Sequence, residues 1–295
     1  MMWVLGAAAA VLLALAAHML LLAPRVLTVS RVELPIADLP PEFDGYTIGV
    51  LSDLHRWPWT TLRRFRRAVA ATTAAEPDAV VLLGDYGLSW KSTARWANRP
   101  LYRPAMRELM PLLGSLRPRD GTFAVLGNHD YYFSAEEVTA WLRAAGVRPL
   151  VNDCAVVQRG SARLLIGGVG DLLEGSVDPA GGCGCYSPDT PAVVLAHHPD
   201  SILHLTAARR VDLVLSGHTH GGQYVLPVYG APVTLSQVCG PMTASGWVPN
   251  ARAPLYVSRG IGEQMPGRLN CPPEVVIMRL RAGGAARPGV SGGKS

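Results

Sequence analysis

The chain has 295 residues, 49% of them hydrophobic, and its 27 Lys and Arg residues exceed its 22 Asp and Glu residues by a net charge of +5. This length allows one large domain with a sizeable core or two smaller ones. The basic excess is too small to indicate a nucleic-acid-binding protein, so no nucleic acid partner is expected. It suits an anionic substrate or a membrane surface.

The N-terminal segment is a long apolar run. Residues 1–22 contain no charged side chain, and only His18 interrupts a run of Ala, Leu and Val. About 20 such residues cross the hydrocarbon core of a bilayer as a helix. No Lys or Arg precedes the run, as one would in a cleavable signal peptide. The sequence therefore predicts a transmembrane anchor over residues 1–23.

Two arginines follow this apolar run. Arg25 and Arg31 lie on its C-terminal side, and only the amino terminus contributes positive charge on the other side. Cytoplasmic flanks of membrane helices carry an excess of Lys and Arg. The remainder of the chain is therefore expected on the cytoplasmic side.

Composition also divides the rest of the chain. Residues 24–44 contain four prolines and scattered charges, which predict a linker. Residues 282–295 are rich in Gly, Ala, Ser and Pro without apolar periodicity, which predicts a disordered tail. A single catalytic domain is expected between them, over residues 45–281.

Within this domain, short apolar runs alternate with helical patterns. Strands are predicted at residues 47–51, 79–83, 122–126, 192–196 and 213–216, with a hairpin over 155–158 and 163–169. Helices are predicted at residues 60–73, 104–116, 135–145 and 200–209. This alternation indicates an α/β architecture with a largely parallel sheet.

Polar clusters follow five of these strands directly. In chain order they are Ser52-Asp53-Leu54-His55, Gly84-Asp85, Gly127-Asn128-His129-Asp130, His197-His198 and Gly217-His218-Thr219-His220. In open α/β sheets, ligands bind at the carboxyl ends of the strands. The five clusters are therefore expected to meet at one edge.

The clusters consist of carboxylates, imidazoles and one carboxamide, a donor set that suits two divalent ions such as Mn, Fe or Zn. The partners in Asp53-x-His55 and His218-x-His220 are two residues apart, so they share one side of an extended segment or diverge towards two ions on a turn. Asp85 is a short carboxylate able to bridge two cations. Two ions about 3.5–4 Å apart bind the attacking and leaving oxygens of a displacement at phosphorus. The residues therefore favour a phosphoester hydrolase.

Taken together, the five clusters resemble the sequence blocks of the calcineurin-like metallophosphoesterase superfamily, over about residues 45–280. The run Val257-Ser258-Arg259-Gly260-Ile261-Gly262 and the membrane-anchored layout are similar to the bacterial membrane-associated phosphodiesterase branch, some members of which act on lipid-linked substrates. The resemblance implies a four-layer α/β/β/α sandwich of two mixed sheets. It also implies a single-pass protein of the bacterial inner (cytoplasmic) membrane.

The resemblance implies a role for each residue. Asp53, His55 and His220 would hold the first metal ion, Asn128, His197 and His218 the second, and Asp85 would bridge the two. A metal-bridging hydroxide would attack phosphorus. His129 would donate a proton or hydrogen bond to the leaving or phosphoryl oxygen, and Asp130 would orient His129 through its other ring nitrogen.

The sequence departs from the common family pattern beside the blocks. Tyr86-Gly87 follows Asp85 where many relatives place a polar residue two to three positions on, and Arg56-Trp57-Pro58-Trp59 follows His55. These departures concern substrate selection, since every metal position is present. The alternative function is a non-catalytic, membrane-anchored metal-binding module, which would be expected to have lost a ligand or His129.

Several other residues are open to two interpretations. His198 competes with His197 as a ligand, Asp171 is either a turn carboxylate or a support for the site, and Arg259 either contacts a substrate phosphate or forms a structural ion pair. Trp57, Trp59 and the arginines of the predicted helix at 60–73 either approach lipid headgroups or form an ordinary solvated face.

The five cysteines are an odd number with irregular spacing. Cys183 and Cys185 lie in a glycine-rich stretch and could form a redox pair or a soft-metal site, but no CxxC pair accompanies them. The favoured interpretation is two loop thiols in a reducing compartment.

Overall fold

The computed structural model describes residues 2–57, 60–91, 95–178, 187–205 and 210–284. The helices of this part of the chain are α1 (Met2–Ala17), α2 (Leu62–Ala74), α3 (Arg99–Leu113), α4 (Asn128–Phe133) and α5 (Ala135–Ala144). Its strands are β1 (Thr28–Ile36), β2 (Thr47–Leu51), β3 (Ala79–Leu82), β4 (Thr122–Ala124), β5 (Arg148–Pro149), β6 (Asp153–Arg159), β7 (Ala162–Gly168), β8 (Ala192–Ala196), β9 (Leu213–Ser216), β10 (Gly246–Trp247), β11 (Leu255–Val257) and β12 (Glu274–Ala282).

The strands form two mixed sheets of six strands each. The first sheet has the order β1-β12-β2-β3-β4-β5, and the second has the order β10-β11-β9-β8-β7-β6. In the first sheet β2 to β5 run parallel, whereas β12 and β2 are antiparallel. In the second sheet β7, β8, β9 and β11 run parallel, with antiparallel neighbours at both edges. The predicted class, α/β with two mixed sheets, is confirmed.

The main core lies between the two sheets, and alternate residues of the strands fill it. In β2, Ile48 and Val50 face the inner core, whereas Leu51 packs with the helices on the outer face. Gly49 also faces α2, where a Cβ would lie 2.7 Å from Thr72 Cγ2. Strands covered on both faces are apolar throughout, which explains why these runs read as continuous hydrophobic stretches.

The outer faces of the two sheets are covered differently. Helices α2, α3 and α5 cover the first sheet, with Phe65, Leu109 and Leu142 buried against it. On the second sheet, the described residues of this layer are a 3₁₀ turn (Pro199–Leu203) and loops that bury Cys239 and Val248. The predicted helix over residues 200–209 is therefore only a 3₁₀ turn in its described part, and residues 206–209 lie outside the described residues.

The predicted linker over residues 24–44 is wrong in its central part. Residues Thr28–Ile36 form β1, which pairs in parallel with all nine residues of β12. Leu34 and Ile36 enter the core between the sheets. Pro35 had argued against a strand, but β1 lies at the edge of its sheet, where proline is tolerated because no further strand needs its missing N–H.

The apolar N-terminal run is helical and largely exposed. Beyond α1, the chain continues through a π-helical turn (His18–Leu22) and a 3₁₀ turn (Ala23–Arg25). Within Leu5–Arg25, a stretch of 18 residues has a mean hydropathy of 2.3 and no buried residue, whereas Ala23 and Pro24 at the end of the segment are buried. Within the described ranges this is one helix long and apolar enough to cross a membrane.

The cysteines are found in different states. Cys239 and Cys271 are free, buried thiols. Cys154, at the start of β6, is disulfide-bonded. Cys183 and Cys185, for which a redox pair or a soft-metal site had been considered, lie outside the described residues.

Candidate metal centre

All five polar clusters meet at one edge of the two sheets. Strands β2, β8 and β9 end directly before their clusters, and β3 and β4 end two and three residues before Gly84 and Gly127. The backbone beyond these ends is unusual, because five of the predicted ligand residues adopt a positive φ: Asp53 (48°), His55 (38°), Asp85 (56°), His218 (69°) and His220 (53°). Non-glycine residues rarely adopt this conformation, and such residues concentrate at functional sites. Sharp turns at the strand ends therefore aim the side chains into one cluster.

Asp85 lies at the centre of this cluster. Its Oδ2 atom lies 3.4 Å from Nε2 of His55 and 3.2 Å from Nε2 of His197. Its Oδ1 atom accepts a hydrogen bond of 3.0 Å from the backbone N–H of His129. One carboxylate oxygen thus faces imidazoles of two different groups, the position that a bridging ligand requires.

The first of these groups comprises Asp53, His55 and His220. The Nε2 atoms of His55 and His220 lie 3.0 Å apart, and Nε2 of His220 lies 3.6 Å from Oδ1 of Asp53. Their ligand atoms all lie within 4.8 Å of one another, and all three residues are buried. Two imidazole nitrogens and a carboxylate oxygen converge here in a way that fits a cation.

The second group comprises Asn128, His197 and His218. Nδ1 of His218 lies 3.1 Å from Oδ1 of Asn128 and 3.2 Å from Nε2 of His197. His197 donates its Nδ1–H to the carbonyl oxygen of Leu83 over 2.7 Å. That bond directs Nε2 of His197 to the centre of the site, in the manner of a metal-binding histidine whose other nitrogen is held by the protein.

Burial governs the ionisation of the group around Asp53. Removal from solvent raises the pKa of Asp53 to about 6, against the lowering effect of His197. Burial also lowers the pKa of His55 to about 3, so this imidazole is neutral. Burial opposes ionisation of Asp85 too, but the neighbouring imidazoles, His197 first, hold the pKa of that carboxyl well below its usual range. A neutral His55 imidazole and an ionised Asp85 carboxylate are the forms that bind divalent ions.

Glycines permit the close approach of the clusters. A Cβ at Gly127 would lie 2.2 Å from Oδ1 of Asp85, and one at Gly217 would lie 2.3 Å from Oδ2 of Asp53. Both distances are far shorter than any van der Waals contact. The glycine that opens each block is therefore required by packing against the carboxylate of another block.

His129 lies beside Asp85 and is held by Ser89. Its Nδ1 is hydrogen-bonded to the carbonyl oxygen of Ser89, and its ring meets that of His55 edge-on with centroids 4.8 Å apart. Because Nδ1 is engaged, Nε2 is the nitrogen left for a substrate. The sequence had not identified Ser89, although it had flagged the stretch after Asp85 as the place where relatives carry a polar residue.

The predicted contact between Asp130 and the ring of His129 is wrong. The Asp130 carboxylate accepts hydrogen bonds from the backbone N–H groups of Asp85 (2.9 Å), Tyr86 (3.0 Å) and Gly127 (2.8 Å), and from the hydroxyl of Tyr102. Asp130 follows directly on His129, but its side chain turns towards the strand ends. It therefore joins the loops after β3 and β4 and positions Asp85 rather than His129.

The residues that had been open to two interpretations are placed by their contacts. His198 lies against His218 with ring centroids 4.2 Å apart and the ring planes tilted by 33°, and it accepts a hydrogen bond from the Asp200 N–H, whereas His197 faces Asp85. Arg259 forms a structural ion pair with Glu274 at 3.1 Å and also donates a hydrogen bond to the hydroxyl of Thr28. Asp171 accepts hydrogen bonds from the N–H groups of Leu173 and Glu174, as a turn carboxylate does.

The run 257–262, which carried part of the family resemblance, lies beneath Asp53. Ile261 N–H donates to Ser52 O at 3.0 Å, and Gly262 N–H donates to Asp53 O at 2.7 Å. At Gly260, which has a positive φ of 70°, a Cβ would lie 2.7 Å from that of Asp53. This loop therefore packs against Asp53 and supports the first ligand group.

Comparison with known families agrees with this site. Residues 46–222 match the model of the calcineurin-like phosphoesterase family. The chain belongs to this family. It is accordingly a hydrolase of phosphoester bonds, and the residue groups around Asp85 are candidates for the divalent metal ions that such enzymes bind.

Three relatives illustrate the range of the family. The chain is 32% identical to phosphodiesterase YaeI of Escherichia coli over 80% of this chain and 82% of that one. It is 28% identical to the UDP-2,3-diacylglucosamine pyrophosphatase LpxG of Chlamydia trachomatis over 88% of this chain and 90% of that one. It is 32% identical to a bovine transmembrane protein with metallophosphoesterase domain over 86% of this chain, but this match spans 57% of the bovine protein.

Proposed function

We propose that this chain is a dinuclear metal-dependent phosphodiesterase that acts at a membrane on a lipid-linked phosphoester. The observation that carries the proposal is the position of Asp85, whose Oδ2 atom faces His55 of one ligand group and His197 of the other. A carboxylate between two groups of imidazole and oxygen donors suits two ions that share one bridging ligand.

The protein would hold one ion with Asp53, His55 and His220 and the other with the remaining ligand group, Asn128, His197 and His218. Mn, Fe and Zn all suit this donor set. When bound, such ions lower the pKa of water and neutralise charge on the phosphoryl oxygens.

His129 acts on the substrate directly in this proposal. Its Nδ1–H donates to the Ser89 carbonyl, which fixes the ring and leaves Nε2 to donate to the leaving oxygen or a phosphoryl oxygen. A hydrogen bond donated from Nε2 would stabilise the negative charge that develops in the transition state.

The second candidate is a membrane-anchored metal-binding module without catalysis. Such a module needs the ligand groups but has no need of a histidine fixed beside them. His129 is buried, and the protein engages its Nδ1, its backbone N–H and its carbonyl oxygen. This degree of positioning favours the catalytic function over the binding module.

The membrane and lipid parts of the proposal rest on the N-terminal helix and on the relatives. Residues Leu5–Arg25 form an apolar helical segment in which only Ala23 and Pro24, at its end, are buried, and about 20 residues suffice to span a bilayer. The bovine relative is named a transmembrane protein, and the name of the chlamydial relative's substrate includes two acyl groups. An anchored enzyme with an acylated substrate is the simplest combination of these features.

Two observations bear on the face of the membrane that carries the domain. Arg25 and Arg31 follow the helix and favour the cytoplasmic side of a bacterial inner membrane. The disulfide at Cys154 favours the opposite face, because disulfides persist in oxidising compartments. We propose the cytoplasmic orientation on the basis of these two flanking arginines. Protease accessibility of the domain in intact spheroplasts tests this orientation. Digestion of the domain by protease added outside would show that it lies on the opposite face of the membrane.

The function is tested with the metal-free full chain in detergent. Bis(p-nitrophenyl) phosphate and p-nitrophenyl phosphate serve as a generic diester and monoester, with Mn²⁺, Zn²⁺, Fe²⁺ or no metal added. We expect hydrolysis that requires metal and favours the diester. A protein inert on both esters with every metal would contradict the proposal, whereas a preference for the monoester would contradict only its diester specificity.

A further inference from the structure

A charge-free, exposed segment follows the last metal ligand. Residues 221–251 contain no Asp, Glu, Lys or Arg, although about one residue in six of the whole chain is charged (17%). Within it, residues 224–243, which we call the apolar loop, expose Val228 (99%), Met242 (72%), Tyr229 (61%) and Val233 (59%) to solvent. Exposed apolar patches without charges mark surfaces that contact a partner or a membrane.

The tip of the apolar loop is a turn that projects its side chains outward. Leu226 and Gly230 exchange two backbone hydrogen bonds of 2.8 and 2.9 Å, which close the turn over residues 227–229. Val228, at this tip, has a φ of 67°, a conformation that β-branched residues rarely adopt. The turn thus keeps Val228 and Tyr229 away from the body of the domain.

The start of the apolar loop is joined to the base of the N-terminal helix. Tyr224 donates its hydroxyl to Pro266 O at 2.8 Å, and Val225 N–H donates to Leu269 O at 2.9 Å. In the same stretch, Arg268 N–H donates to Met19 O at 2.9 Å. The segment 265–269 therefore lies between the end of the apolar helix and the apolar loop and contacts both.

Basic side chains lie at the same end of the helix. Arg67 of α2 donates to the carbonyl oxygen of Arg25 at 2.9 Å, and Arg63, one turn earlier, is exposed on the same face. Arg64 is not part of this face, because it is buried and paired with Glu263. Trp59, another candidate for lipid contact, lies outside the described residues, and Trp57 packs edge-on against Trp90.

The apolar loop is also attached to the metal centre. The Asp200 carboxylate accepts the N–H groups of Gln237 (2.8 Å) and Val238 (3.1 Å), and Asp200 N–H in turn donates to His198. A second attachment lies just beyond the other end of the loop. There the hydroxyl of Thr219, which lies between His218 and His220 in the chain, donates to Ala244 O at 2.6 Å. Movement of the loop would therefore displace residues that adjoin both ligand groups.

We propose that the apolar loop is a membrane-docking surface that inserts into the interfacial region of the bilayer entered by the N-terminal helix. Apolar and aromatic side chains bury themselves at the headgroup boundary, and arginines beside them attract anionic lipids. The partner is the lipid surface itself, because the loop is continuous with the base of the membrane helix. Docking would place the metal centre at the height of lipid phosphates, and this extension rests on the proposed function.

The location of the loop is tested by brominated-lipid quenching. The full chain is reconstituted into vesicles of phosphatidylcholine and phosphatidylglycerol, and the emission added by Tyr229→Trp is obtained by subtraction of the wild-type spectrum. Leu101→Trp, at an exposed apolar position on α3 (39% exposed), is the matched control. We expect dibromo-phosphatidylcholine to quench the emission added by Tyr229→Trp but not that added by Leu101→Trp. Equally weak quenching in the two variants would overturn the proposal. A blue-shifted Tyr229→Trp emission that resists quenching would also overturn it, because it would indicate that the loop is buried in a contact between two copies of the chain.

A second measurement separates docking from catalysis. For each variant, the measured quantity is the ratio of two turnover rates: that of a phospholipid diester in the same vesicles, divided by that of bis(p-nitrophenyl) phosphate in detergent. The double variant Val228→Asp/Met242→Asp is compared with Leu101→Asp. We expect this ratio to fall by about tenfold or more in the double variant, since charges are disfavoured at the apolar boundary, and to be unchanged in Leu101→Asp. An unchanged ratio in the double variant would refute docking. Failure of the proposed function itself would instead abolish both activities in the wild type, while the quenching result would still locate the loop.

Discussion

Asp85 Oδ2 lies 3.2 Å from Nε2 of His197, whose Nδ1–H is bonded to the carbonyl oxygen of Leu83. Leu83 lies two residues before Asp85 in the chain, so one strand end positions both the carboxylate and the imidazole that faces it. The same Oδ2 also faces His55 from the other ligand group. The two groups therefore depend on a single carboxylate for their connection.

Replacing this carboxylate should disconnect the two groups. Asp85→Asn keeps the shape of the side chain but removes its charge, so we expect the loss of at least one ion per chain. Loss of a residue that supports a metal ligand costs 10- to 100-fold, and loss of a bridging ligand should lower kcat/KM by more than about 100-fold. Metal analysis and diester hydrolysis measure both effects. The matched control is Asp171→Asn, a buried carboxylate of a turn, which should keep both ions; equal losses in the two variants would contradict the bridging role.

His129 should affect the reaction without affecting metal content. Although its ligand atom lies close to those of His55 and Asp85, its Nδ1 is bonded to Ser89 O rather than directed at an ion. We expect His129→Ala to lower kcat by about 10²- to 10⁴-fold, as for loss of a general acid, while two ions remain bound. His198→Ala, which removes a buried neighbour of His218, is the comparison. Loss of an ion in His129→Ala would identify His129 as a ligand instead.

Metal binding should weaken in acid. Burial raises the pKa of Asp53 to about 6, so the folded, metal-free protein favours its neutral form and loses stability as the pH rises from about 4 to 6. A cation requires the ionised carboxylate, and competition with this proton lowers affinity about tenfold per pH unit below about 6. His197 adds to this slope, because Asp85, against the effect of burial, raises the pKa of its imidazole.

Titration of the metal-free protein with Mn²⁺ between about pH 5 and 7 measures this effect. Thermal stabilisation by the metal should grow over this range as the pH rises. The sign is distinctive, because the contribution of Asp53 to the stability of the metal-free protein should fall as the pH rises towards 6, whereas the stabilisation by the metal should grow. An affinity for Mn²⁺ that is constant across the range would contradict the assignment of Asp53 as a ligand.

A buried ion pair beneath the site should contribute strongly to stability. Arg64 and Glu263 pair with side-chain exposures of only 6% and 1%, and Arg64 also donates to Ile261 O at 3.1 Å. Removal of one member leaves a buried charge unpaired, so Glu263→Gln should lower the free energy of unfolding by about 3–5 kcal/mol. Glu137→Gln disrupts the more exposed pair with Arg103 (43% and 32% exposed) and should cost less than about 1 kcal/mol. Urea denaturation compares the two, and equal losses would contradict the prediction.

The convergence of the candidate ligand residues could be predicted because strand ends are visible in the sequence. Each apolar run of the parallel strands is followed at once by its polar cluster, and the structure brings Asp53, Asp85, Asn128, His197 and His218 together at that edge. The sequence does not encode side-chain direction in such a simple way. Asp130 adjoins His129 in the chain, yet its carboxylate binds the backbone at Asp85 and Gly127 because α4 turns it away.

Other features depend on contacts between distant segments. The strand Thr28–Ile36 was missed because Pro35 suggested a linker, and only its pairing with residues 274–282 makes proline acceptable at that edge. Ser89 acts through its carbonyl oxygen, which any residue would supply, so its identity gives no signal. The apolar loop was also missed, because its lack of charge becomes meaningful only once its exposure and its position beside the apolar N-terminal helix are known.

The most direct test of a dinuclear phosphodiesterase is a metal titration of the metal-free full chain with activity as the readout. Increasing equivalents of Mn²⁺ are added at protein concentrations well above the dissociation constant, and diester hydrolysis is recorded beside the bound metal. We predict that activity rises until two ions are bound per chain and then remains constant, and that Asp85→Asn never reaches this level. Full activity with one ion bound, or with none, would contradict the dinuclear centre.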